Sequence, residues 1–106
     1  MNGEHVEFIE LVFPMTAAFG MDEREEIEDT LHSRLVSEGI GEVSGAGAGM
    51  GVMNVDVDIE ESWQYRVEDV RGFVLALLGE FTLPPGSTMR LYPFSEARNV
   101  VGGRSE

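Results

Sequence analysis

The sequence predicts an α+β domain in two layers, a four-stranded antiparallel sheet with two helices on one of its faces. Three observations predict it. Residues 53–60 alternate strictly, with Met53, Val55, Val57 and Ile59 set against Asn54, Asp56, Asp58 and Glu60. Successive side chains leave opposite faces in a strand, so this period of two marks a half-buried one. Ile27, Leu31 and Leu35 recur four apart, the buried stripe of an amphipathic helix, and Val70, Phe73, Val74, Leu77 and Phe81 form a second such stripe. A strand-like segment lies beyond each helix, so the order is strand, helix, strand, strand, helix, strand.

The first strand is expected over residues 6–13. Ile9, Leu11 and Phe13 share one face, and Val6, Phe8, Glu10 and Val12 the other. Being apolar on both sides, it suits the middle of a sheet. Pro14 has no N–H for a central ladder and should end it. Residues 15–21 then lead to a helix starting near Asp22. There Asp22 is placed to accept from the free first-turn amides while Glu25 reaches back. Asp22, Glu23, Glu25 and Glu26 suit the positive end of the helix dipole, and Val36 is expected beside the buried stripe. Gly39 supplies the left-handed residue that ends the helix, and Ile40 packs back on its last turn. A small-residue strand over 42–48, a glycine turn within 47–51 and the strand Val52–Ile59 make a hairpin whose register glycine leaves open. A loop over 61–66 holds Trp63 and Tyr65. The second helix runs over about 67–81, where Gly72 and Gly79 weaken it by about 1 kcal/mol each relative to alanine and point to close packing. Residues 83–86 are a turn, 88–94 the last strand and 95–106 a loose tail, after one domain with its core in 6–94.

Composition narrows the chemistry. A chain of 106 residues without cysteine has no disulfide, thiol nucleophile or thiolate metal site. Twenty acidic groups against seven basic ones leave a net charge of −13, and every basic residue is arginine. Such a field repels phosphate backbones, so no nucleic acid is expected to bind directly; it favours a basic protein partner, or serves only to keep the protein soluble. Without lysine there is neither a Schiff-base enzyme nor a P-loop. No apolar run reaches the roughly 18 residues of a membrane span, and the N-terminus lacks the pattern of a signal peptide. No membrane and a cytoplasmic location are the expectation.

The order of elements, with the hairpin arm GEVSGAGAGMG beside NVDVDIE, resembles the ferredoxin-like superfold over about residues 6–94. A fold of this breadth implies no function, so the residues must supply one. Gly45, Gly47 and Gly49 suggest a ligand groove over bare backbone, or a strand that lets a neighbour approach closely. Met50 and Val52 stand where a dinucleotide fingerprint needs its third glycine, and no Lys-Ser/Thr follows for a P-loop. Asn54, Asp56, Asp58 and Glu60 form an acidic row. Their spacing of about 6–7 Å is wide for sharing one cation and fits a solvated face or a docking face. His5 and His32 have no partner at metal-ligand spacing, so no metal and no cofactor are expected. No serine lies in a nucleophile elbow, so no catalytic residue is assigned. Trp63, Tyr65 and Arg66 have the composition of an interface anchor and equally that of a core edge. Arg90 and Tyr92, with Val6, Phe8 and Val12, are expected on the open face of the sheet. A partly apolar open face leaves a homodimer possible.

These features suggest a small, non-enzymatic protein-binding module. In its acidity and two-layer architecture it resembles bacterial immunity proteins, which cover a basic toxin domain; this is a likeness of class that transfers no residue. The expected contact residues are Asp56, Asp58, Glu60, Trp63 and Tyr65. An alternative is a small-ligand regulatory domain resembling the amino-acid-binding ACT type, with the glycine hairpin or the 15–21 loop lining its pocket. A dimeric ferredoxin-like enzyme would have only dispersed His32, Tyr65 and carboxylates to work with.

Overall fold

Alternation decides which side of the sheet is covered. The computed structural model describes residues 4–93 and the backbone of 98–99. Its elements are β1 (Phe8–Pro14), α1 (Met21–Glu38), β2 (Gly41–Gly49), β3 (Val52–Ile59), a 3-10 turn (Glu61–Trp63), α2 (Val67–Leu78), β4 (Thr88–Tyr92) and β5 (Arg98–Asn99). The strands are ordered β2-β3-β1-β4-β5 and every pair is antiparallel. This is the ferredoxin-like sandwich, with a two-residue strand added beside β4. Ile9, Leu11 and Phe13 of β1, Met53, Val55, Val57 and Ile59 of β3, and Met89 and Leu91 of β4 are buried. They meet Ile27, Leu31 and Leu35 of α1 and Val70, Val74, Leu77 and Leu78 of α2 in one core. Full burial of such a side chain is worth about 1.5–3 kcal/mol, so this layer carries most of the stability. Among the described residues no helix is long and apolar enough to cross a membrane.

Several boundaries differ from the sequence reading, each for a local reason. β1 begins at Phe8 because the chain bends at Glu7. Val6, expected beside Phe8, is instead fully buried in the core. Pro14 keeps a place in the ladder opposite Val52, where the strand ends and no further N–H is needed. α1 starts one residue early, with Gly20 as its N-cap; Glu23, not Glu25, accepts from the Gly20 N–H at 2.8 Å. Val36 is 53% exposed, off the buried stripe. Arg24 takes the place at the stripe's N-terminal end, three residues before Ile27, and is only 5% exposed. Gly39 is left-handed (φ 71°), and the Ile40 N–H returns to the Leu35 carbonyl at 2.9 Å, closing α1 as its sequence indicates. α2 stops at Leu78, and a Cβ on Gly72 would meet nothing within 4 Å, so close packing does not explain that glycine. Of the expected tail, 98–99 pair with β4; its other residues, and Phe94 of the last strand, lie outside the described residues.

The hairpin turns on Met50 and Gly51, both with positive φ (56° and 82°), the geometry whose twist matches that of paired strands. A bulge at Ser44 shifts the register between Val43 and Gly45. At the other end Gly41 lies against β3 so closely that a Cβ there would overlap the Asp58 carbonyl oxygen. Gly41→Ala should therefore cost about 1–3 kcal/mol, as overpacking does. Urea unfolding measures this, and an unchanged midpoint would remove Gly41 as a constraint on the hairpin.

α1 is tied to the turn after α2 by an exposed ion pair in which Arg34 donates from both terminal nitrogens to Glu80, at 2.7 and 2.8 Å. The hydrogen bond from Arg34, helped by its charge, holds the Glu80 carboxyl below its ordinary pKa. A carboxylate lowered in the folded state stabilises above its unfolded pKa and loses that contribution as pH falls through the folded one. In Arg34→Ala, Glu80 should titrate higher and acid destabilisation should be shallower. NMR titration of the Glu80 carboxyl carbon decides it, with identical curves counting against the pairing.

Candidate functional site

The acidic row and the glycine stretch come together on the open face of the sheet. Pairing sets Glu42, Asp58, Phe8 and Tyr92 in one row across β2, β3, β1 and β4. Gly45, Asp56, Glu10 and Arg90 form the next row, and Gly47, Asn54, Val12 and Thr88 a third. Directly opposed residues have Cβ atoms about 4.5–5.5 Å apart, so Asp56 and Glu10 lie side by side with Asp58 in the adjoining row. Arg90 faces Glu10 from the other strand. Among the described residues it is the one cation in these rows, and it makes no ion pair.

Hydrogen bonds fix several of these groups. The Tyr92 hydroxyl donates to Glu10 Oε1 at 3.2 Å, and Asn54 Nδ2 donates to Asp56 Oδ1 at 3.0 Å. Phe8 and Tyr92 pack with ring centroids 5.5 Å apart in a tilted arrangement, within the range of an attractive aromatic pair. Asp56 Oδ2 lies 3.7 Å from where a Cβ on Gly45 would stand, and Asn54 Oδ1 3.2 Å from that of Gly47. The bare strand thus gives Asp56 and Asn54 room to lean over β2, while nothing lies within 4 Å of a Cβ on Gly49. The glycine groove is in this way partly filled by the acidic row itself.

The remaining sequence candidates lie elsewhere. Glu60 is exposed just past β3, its N–H donating to the Ile40 carbonyl at 2.8 Å. Trp63 packs against the core, with the Arg66 guanidinium 3.8 Å over its ring. Tyr65 is exposed and stacked on His5 at 5.1 Å. Asp56 and Asp58 therefore belong to the sheet face, whereas Trp63 and Tyr65 belong to the turn before α2. Glu10 is the member that sequence reasoning missed. Its alternation parity places it on the open face, but only the register between β1, β3 and β4 puts it beside Asp56 and under Tyr92.

Chemically, the face offers carboxylates, one guanidinium and an aromatic pair. Among the described residues no group of three or more His, Asp or Glu side chains is arranged to hold a metal ion. His32 serves a structural bond, its Nδ1 accepting the Val43 N–H at 3.1 Å. No protein-family model matches the sequence, and no curated protein or solved structure matches it either.

Proposed function

We propose that this is a non-enzymatic binding protein whose acidic sheet face docks on a basic protein, as an immunity or inhibitor protein does. The observation that carries the reading is the cross-strand cluster of Asp58, Asp56 and Glu10, with Glu42 beside it and the Phe8–Tyr92 pair at its end. Clustered like charges steer a partner of opposite sign, and an adjacent aromatic pair supplies apolar contact area. The net charge of −13 extends the same field over the whole molecule.

The double change Asp56→Lys and Asp58→Lys should leave the fold intact and slow association with the basic partner by roughly tenfold or more at low salt. The measurement is capture from a cell lysate on immobilised protein, then association kinetics with the retained protein. Association unaffected by the reversal would remove the face from the interface.

A second reading, the small-ligand regulatory domain, is supported by one contact: the Met15 N–H donates to the Gly51 carbonyl at 2.8 Å, which joins the 15–21 loop to the glycine hairpin. Under this reading an amino acid, nucleotide or divalent ion at ~100 times its dissociation constant should stabilise the fold by about 2.7 kcal/mol. Thermal melting across such a panel separates the two readings.

A further inference from the structure

We infer that the outer edge of β2 receives an extended, basic segment of the partner as an added strand. This deepens the docking reading above and rests on it. The direction of the edge groups follows from the pairing. The Ile59 N–H bonds the Glu7 carbonyl and the Met15 N–H bonds the Gly51 carbonyl, both on the β1 side, while the Glu60 N–H bonds the Ile40 carbonyl on the β2 side. Odd-numbered residues of β3 therefore turn their backbone groups toward β1, and even-numbered ones toward β2. Their odd-numbered neighbours Val57, Val55 and Met53 stand opposite Val43, Ala46 and Ala48, so these three residues of β2 direct their N–H and C=O groups outward.

Among the described residues, only the first of the three is covered. His32 of α1 takes the Val43 N–H, and the bulge at Ser44 distorts the strand beside it. For Ala46 and Ala48 no outward hydrogen bond is found among the described residues. Natural edges are blocked by lysine, proline, charge or a covering element. Residues 43–55 contain no charge and no proline, and the side chains at 45–49 are no larger than a methyl group. An open edge of this kind pairs with an extended chain, main-chain hydrogen bonds giving affinity and alternate side-chain sites giving specificity.

Charge selects the occupant. Where α1 overhangs β2, Glu28, Asp29, His32 and Val43 line a cleft of about 270 Å³. On the other side of the strand, Asp56 leans over Gly45. A strand added to β2 would have one set of alternate side chains toward Glu28 and Asp29 and the other toward Asp56. Arginine or lysine at those positions matches both sides. A second copy of this chain would bring its own acidic α1 against the first.

The test uses the full chain and a short extended peptide with arginine at consecutive positions, so that both of its faces carry the charge. Its controls carry glutamate in place of arginine, or N-methyl groups along one backbone edge. The expected result is protection of the Ala46 and Ala48 amides from hydrogen exchange by the arginine peptide alone. Binding should weaken about tenfold in Ala46→Pro, which removes an outward donor and the hydrogen bond it would make, and fall with salt and in Glu28→Gln/Asp29→Asn. The N-methylated peptide keeps the test decisive should Ala46→Pro fail to fold. Equal binding of the arginine peptide and its N-methylated form, with NMR shifts at Phe8, Glu10 and Asp58 instead, would overturn the edge inference and leave the docking face standing. Amide protection that grows with protein concentration without peptide would assign the edge to a second copy and overturn it. No binding of the arginine peptide would also overturn it, while the lysate capture judges the docking face separately.

Discussion

Gly41 and the carbonyl oxygen of Asp58 approach too closely to admit a side chain, and the rest of the hairpin is set from that contact. Between Gly41 and the Met50–Gly51 turn, β2 has few side chains with which to hold its register. The hairpin is therefore fixed at its ends, by this approach and by the turn, and adjusted once between them by the bulge at Ser44. From α1, His32 bonds Val43, and Arg24 reaches the Gly47 carbonyl at 3.4 Å, long for a hydrogen bond. That register puts Asp56 over Gly45 and Asp58 beside Phe8, so the acidic face is a consequence of how a nearly bare strand is held.

Arg24 is the unusual element of this arrangement. Its guanidinium is almost wholly buried, the nearest carboxylate oxygen, from Glu25, is 3.9 Å away, and its Nε has no partner among the described residues. A buried charge so loosely paired is expensive. Its position three residues before Ile27 extends the apolar stripe of α1, so the stem covers core while the head group lies against the hairpin.

Strong periodicity was legible in the sequence. β3 alternates because one face is core and the other is not, and α1 ends at Gly39 because a left-handed residue was needed there and glycine supplies it without strain. Signals that depend on neighbours were not legible. The bulge at Ser44 lies among residues too small to mark a register. Asp22 and Glu25 have the residue types of a cap, but Gly20 and Glu23 form it two residues earlier, and glycine carries no side chain to announce the role. Val6 has the parity of Phe8 and escapes it only through the bend at Glu7. The acidic row could be read from one strand, whereas its meeting with Glu10 and Tyr92 required three strands to be aligned.

Trp63 is the chain's single tryptophan, and it lies half-buried against the core beneath the Arg66 guanidinium, away from the carboxylates of the sheet. The molecule thereby carries a fluorophore positioned to sense its own unfolding. Emission should follow the loosening of the turn before α2, while an event confined to the sheet face leaves the indole's surroundings as they were. Folding can be followed with intrinsic light, and docking needs a reporter placed elsewhere.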